Sequence, residues 1–144
     1  VDNIVDNFLN KKKRGEKMRE ILFRGKKNDN WIYGDLINQY PKIYIGSMGY
    51  VGDDIGYLED EIIPETLGQY TGMKDKNGNK VFEGDIISST YYGNSPVEYY
   101  LNRFTISYDF GKAEENTDFN FSEVIYEVIG NIYDNPELLE VKND

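Results

Sequence analysis

A chain of 144 residues has the length of one domain with a single sizeable core, and two full domains would be cramped. Apolar residues at 39% and aromatic ones at 15%, with 13 tyrosines, exclude a permanently disordered chain, while 29% charged residues and no apolar run near the roughly 20 that span a bilayer exclude a membrane-embedded helix. The net charge of −10 disfavours polyanionic ligands, and the absence of His and Cys removes imidazole bases, thiol nucleophiles, disulfides and the usual zinc ligand sets.

Residues 1–17 read as an extension. Ile4, Val5, Phe8 and Leu9 share one face of a short amphipathic helix, with Val1 ahead of them and the basic run of residues 11–14 behind. Apolar-then-basic is the reverse of a signal peptide. Met18 opens a strand-like pattern and is the expected natural start, because Arg14-Gly15-Glu16-Lys17 can be encoded by a purine run containing a bacterial ribosome-binding sequence. The expected organisation is an extension over 1–17 and one domain over 18–144.

Charge is unevenly spread. Residues 11–27 hold nine bases against Glu16 and Glu20, whereas from Asp109 to Glu140 nine acids face only Lys112. Such a field repels phosphate backbones, so direct nucleic-acid binding is not expected. It either keeps the protein soluble or captures a basic partner surface.

Short β-type runs punctuated by Gly, Asn and Asp follow Met18. Residues 21–23 and 31–33 flank the polar stretch 26–30, whose Asn and Asp suit a turn, predicting a hairpin. Residues 35–37 continue the second strand, and residues 42–45 after Pro41 form another. Seven glycines from Gly34 to Gly72, with Asp53, Asp54, Glu59, Asp60 and Glu61 among them, predict a loop-rich middle. Residues 67–70 and 81–87 bracket Asn77-Gly78, the strongest hairpin signal in the chain, which predicts a type I′ turn. Residues 99–101, 104–108 and 125–132 read as strands, with a polar loop over 109–123. Asp134-Asn135-Pro136-Glu137 offers a cap, a proline at the first helical position and a first-turn acid, predicting a short terminal helix over 136–141.

Trp31-Ile32-Tyr33-Gly34-Asp35-Leu36-Ile37 and Val81-Phe82-Glu83-Gly84-Asp85-Ile86-Ile87 share one pattern, apolar, apolar, x, Gly, Asp, apolar, apolar. Glycine permits a sharp turn and Asp can bond backbone amides there, so Gly34, Asp35, Gly84 and Asp85, with Asn77 and Gly78, are the expected turn residues. The step is similar to the way strands begin in small SH3-like barrels. Coincidence is an open alternative, since two copies do not make a repeat.

Three blocks carry a wider resemblance. Residues 66–87, the opening Met18-Arg19-Glu20-Ile21-Leu22-Phe23-Arg24-Gly25 with residues 31–36, and Val128-Ile129-Gly130-Asn131-Ile132-Tyr133-Asp134-Asn135-Pro136-Glu137-Leu138-Leu139 together resemble the YopX family of phage and prophage proteins, in the expected order. The resemblance implies a mostly β domain with a barrel-like core and minor helices, carried on temperate phage genomes. It brings no activity and no catalytic residue.

Without His or Cys, chemistry would rest on carboxylates, Lys, Tyr, Ser or a bound metal. The cluster Asp53, Asp54, Glu59, Asp60 and Glu61 suits hard cations but has no EF-hand spacing, and a solvated acidic loop is the simpler reading. Asp35 and Asp85 would form an acid/base couple if the two halves faced each other, against the simpler reading of turn-capping. Residues 46–52 are glycine-rich but lack the Lys and Ser or Thr of a phosphate loop. Tyr91, Tyr92, Tyr99, Tyr100 and Tyr108 lie near the middle strands, where adjacent tyrosines fall on opposite faces and some must meet solvent. They are the expected contact residues, with core filling as the alternative.

The fold class predicted is mainly β, α+β with minor helices, as a small SH3-like barrel or pseudo-barrel with a short C-terminal helix. The expected role is non-enzymatic: a phage-encoded, cytoplasmic module that self-associates or binds a host or phage protein, with no cofactor, no metal and no membrane. One alternative is a nucleic-acid-associated factor using the basic residues 11–27. The other is a metal-dependent hydrolase using the carboxylates of 53–61.

Overall fold

The computed structural model describes residues 3–15, 19–90, 92–100, 102–106 and 125–140. Among the described residues, helix α1 (Ile4–Lys13) precedes nine strands, β1 (Phe23–Lys27), β2 (Asn30–Gln39), β3 (Lys42–Val51), β4 (Asp54–Lys74), β5 (Lys80–Phe82), β6 (Asp85–Ser89), β7 (Gly93–Tyr100), β8 (Arg103–Ile106) and β9 (Tyr126–Asn131). The protein is mainly β, as its β-branched and aromatic runs predict. Asn3 caps α1 by accepting the Asp6 amide at 2.8 Å, and no residue of α1 is buried.

Two antiparallel sheets make the body. The first has the order β1-β2-β3-β4-β5, and β1 also pairs with β4, so its pairings close into a circuit. The second has the order β8-β7-β6-β9. β4 serves three partners in succession: β3 through Ile62, β1 from Ile63 to Gln69, and β5 from Tyr70. Its register against β1 shifts between Arg24 and Lys26, where the Thr66 hydroxyl accepts the Lys26 amide at 2.8 Å and donates to the Ile63 carbonyl at 2.6 Å. That hydroxyl satisfies the backbone groups the irregularity would otherwise strand.

The core lies where the second sheet meets β5. Val81, Ile87, Val97, Ile106 and Tyr126 form one buried cluster, with Tyr92 and Val128 packed against it. Each fully buried aliphatic side chain of this kind contributes about 1.5–3 kcal/mol of transfer free energy. Asp75 ties the β4–β5 loop to the second sheet, its carboxylate accepting the Val128 amide at 3.0 Å and those of Asn77 and Asn79 at 2.9 Å each.

Several expectations are corrected. The middle of the chain is not loop-rich: residues 42–74 are almost entirely β3 and β4, because Gly46 and Gly49 make room for the Tyr57 and Leu58 side chains and do not break the strands. Gly34 and Asp35 lie inside β2 and form no turn. A Cβ at Gly34 would collide with the Gly46 carbonyl, so glycine is there for close strand approach. Asn77-Gly78 is not a type I′ turn. Only Gly78 has a positive φ, +84°, and the loop between Lys74 and Lys80 is organised by Asp75.

Near the end of the described residues, the predicted helix is a single 3-10 turn, Pro136–Leu139, whose cap residue Asn135 makes no capping bond, its Oδ1 accepting the Asn131 amide at 3.2 Å instead. The strand expected at 99–101 begins earlier, at Gly93. Gly84 and Asp85 do form the predicted turn, Gly84 with φ +91° and Asp85 accepting the Phe82 amide at 2.7 Å. The expected loop over 109–123 and the end of the strand at 107–108 lie outside the described residues.

Candidate functional site

The densest polar arrangement begins at Arg24, a charged residue in a strand whose surroundings are apolar. Its Nη2 lies 2.7 Å from Asp85 Oδ1, with the two side chains 6% and 4% exposed. The approach is an ion pair and not an aligned hydrogen bond, and Arg24 Nε has no acceptor among the described residues. The guanidinium lies 4.4 Å from the Trp31 ring and 4.9 Å from the Phe82 ring, a stacked position that arginine's flat, weakly hydrated group tolerates. Burial pushes the Asp85 carboxyl up, against the pull of Arg24.

A second layer closes over the pair. Asp134 takes the Lys26 ammonium, the Trp31 indole N–H at 2.8 Å and the Asn131 amide at 3.0 Å. Lys26 first, then Asn131 and Trp31, hold its carboxyl down to about 2. Tyr133 stacks on Trp31 at 5.8 Å and donates to the Glu65 carbonyl at 2.8 Å. Arg24 and Trp31, Phe82 and Asp85, and Asn131, Tyr133 and Asp134 come from the three sequence blocks that carry the family resemblance, so those blocks meet at one junction between the two sheets. A cleft of about 580 Å³ opens beside it, lined by Leu22, Tyr33, Lys80 and Val128 among others. The arrangement fixes one sheet on the other.

Asp35 and Asp85 are not brought together as a couple. Asp35 is exposed on β2 and accepts the Tyr57 hydroxyl at 3.1 Å, whereas Asp85 serves Arg24 and Phe82. Sequence reasoning counted Arg24, Lys26 and Lys27 toward a basic surface. The structure commits all three to acids, Asp85, Asp134 and Asp60. The signal that could have singled out Arg24 was its place between Phe23 and Gly25, at the start of a strand with no exposed polar alternation.

The tyrosines divide. Tyr99 is 55% exposed and stacks edge-on with Phe104 at 5.2 Å. Tyr92 packs against the core and Tyr100 is half-buried. Tyr91 and Tyr108 lie outside the described residues. The five carboxylates of 53–61 do not gather: Asp53 and Asp54 sit at the β3–β4 tip, Glu59 and Glu61 fall on one strand face, and Asp60 turns to the other and binds Lys27 at 2.7 Å. Among the described residues no three acids are grouped as a metal site would need.

A large exposed apolar surface lies elsewhere, apart from the uncovered α1 face of Ile4, Val5, Phe8 and Leu9. Beyond Gly46, the end of β2 pairing, β3 and β4 continue alone as a ribbon with the rungs Ser47↔Leu58, Met48↔Tyr57, Gly49↔Gly56, Tyr50↔Ile55 and Val51↔Asp54. Opposed residues share a face. Met48, Tyr57, Tyr50 and Ile55 therefore form one continuous side, exposed by 66%, 48%, 76% and 65%. The sequence reading of a loop-rich stretch after the strand at 42–45 concealed this face, because its period-two pattern is interrupted by glycines.

The profile of the family described as YopX protein matches residues 22–140. Among solved structures the chain is similar to protein EF1440 from Enterococcus faecalis, known from a crystal structure. The identity is 25% and the TM-score 0.55, over 85% of this chain and 100% of that one. No curated protein matches the chain.

Proposed function

The chain belongs to the YopX family, and from that premise we propose that it acts by protein contact and not by catalysis, as a phage-encoded factor in the bacterial cytoplasm. The observation that carries this reading is the outer β3–β4 ribbon, whose Met48, Tyr50, Ile55 and Tyr57 form an uncovered apolar side. Two-stranded ribbons are marginal in water, and such a face gains most when a partner covers it. Asp53, Asp54, Glu59 and Glu61 border it. A second copy of this acidic chain would set acid against acid, so the occupant that fits is a protein surface apolar at its centre and basic at its rim.

The test is affinity capture from phage-infected cells with the intact chain and with Tyr50→Ser/Ile55→Ser, followed by hydrogen exchange on the purified complex. A stoichiometric basic protein held by the native chain, lost with the variant, and protecting amides of 47–58 is the expected result. A partner retained by the variant, a homo-oligomer in light scattering that persists in it, or a monomer that captures nothing overturns the reading.

A further inference from the structure

A groove distinct from the ribbon brings together two arginines from distant segments. Arg19, just ahead of β1, and Arg103, at the start of β8, both line a cleft of about 440 Å³. Among the described residues neither has an acid within ion-pair distance, although the chain as a whole carries ten more acids than bases, its net charge being −10. The basic side chains of β1, Arg24, Lys26 and Lys27, are all consumed by acids, whereas among the described residues these two meet none. Arg19 runs its aliphatic stem past Gly72, where a Cβ would come within 3.8 Å of it.

The same cleft contains Tyr99 and Phe104, stacked edge to face at 5.2 Å, and the amides of Gln69 and Asn102. Two guanidinium groups can clamp one phosphate or carboxylate, and a mixed aromatic wall suits a flat ring beside it. The negative field around the groove repels a polyanion but leaves room for one anionic group reaching the cationic spot. We propose that this groove binds a small anion carried on a flat ring, Arg19 and Arg103 taking the phosphate or carboxylate and Tyr99 with Phe104 taking the ring.

Glu83 is the acid in this cleft. Burial raises its carboxyl above the ordinary glutamate value, so it takes up a proton more readily than a surface glutamate when an anion arrives. The groove shares no residue with the β3–β4 ribbon, so the proposal stands or fails separately from the protein-contact reading.

Calorimetric titration of the full chain with phenyl phosphate, benzoate, inorganic phosphate and a thymidine oligonucleotide tests it. Phenyl phosphate or benzoate should bind, with inorganic phosphate about tenfold weaker and the oligonucleotide weaker still. Arg19→Ala and Arg103→Ala should each weaken binding by about tenfold, and Glu83→Gln should strengthen it. Both arginines are exposed, so these variants should keep the native circular dichroism. No heat from either aromatic anion, unchanged binding in both arginine variants, weaker binding in Glu83→Gln, or preference for the oligonucleotide overturns the proposal.

Discussion

Arg24 of β1 and Asp85 at the head of β6 meet at 2.7 Å, each almost wholly shielded from solvent, and so join the two sheets by a buried ion pair. Such a pair adds little over a well-packed apolar substitute, but removing one member leaves a bare charge inside. Asp85→Ala also leaves the Phe82 amide without its acceptor. We expect Asp85→Ala to cost about 3–5 kcal/mol in urea unfolding, and Arg24→Met with Asp85→Ala to cost less than the sum of the single changes. A loss for Asp85→Ala below about 1 kcal/mol would show that the junction does not hold the sheets.

Close strand approach gives a second prediction. At Gly34 a methyl group would meet the Gly46 carbonyl, a backbone atom fixed by the β2–β3 ladder. Gly34→Ala should lower stability by about 1–3 kcal/mol, read from thermal unfolding. An unchanged melting temperature would contradict the packing.

Acid titration gives a third. Asp134 is held at about 2, chiefly by Lys26. Asp75 is also lowered, the opposing effect of burial being outweighed by the Val128, Asn79 and Asn77 hydrogen bonds. A depressed carboxylate stabilises the fold above its unfolded pKa, and that contribution is lost as pH falls through the folded value. Asp85 is raised and works in the opposite sense, its charging costing stability above about 4. Stability should therefore fall from about pH 4 toward pH 2, and Asp134→Asn should flatten that slope in urea titrations at stepped pH. An equal slope in the variant would remove Asp134 from the account.

The ribbon gives a fourth. Amides in its free outer rungs, residues 47–50 and 55–58, should exchange with deuterium much faster than those of Ile86, Ile87 and Val97, which are 0%, 0% and 1% exposed. Tyr50→Ser with Ile55→Ser should change global stability by less than about 0.5 kcal/mol per site, since neither side chain is buried. A larger loss would mean that the ribbon supports the core.

What was legible in the sequence follows from local chemistry. The residues 21–33 hairpin, the Gly84-Asp85 turn and the apolar β6 run could be read because turn residues and β-branched runs act at short range. The Gly34-Asp35 twin of that turn misled, since a glycine needed for close approach in a strand looks in sequence like one needed for a bend. The outer part of β3 and the first half of β4 were hidden for the same reason, although 42–45 and 67–70 were legible as strands. The Arg24–Asp85 junction was illegible because its members come from strands whose meeting is decided by tertiary packing. The expected tyrosine surface survives only in part, with Tyr99 exposed and Tyr92 drawn into the core.

One strand running unbroken for 21 residues has a mechanical consequence. Tension applied at the ribbon's tip draws β3 and β4 the same way, each along its own axis, so the load falls in shear on the rungs of β2 to β3 and of β1 to β4. Through covalent bonds alone, that pull reaches Gly68, the residue seated opposite Arg24.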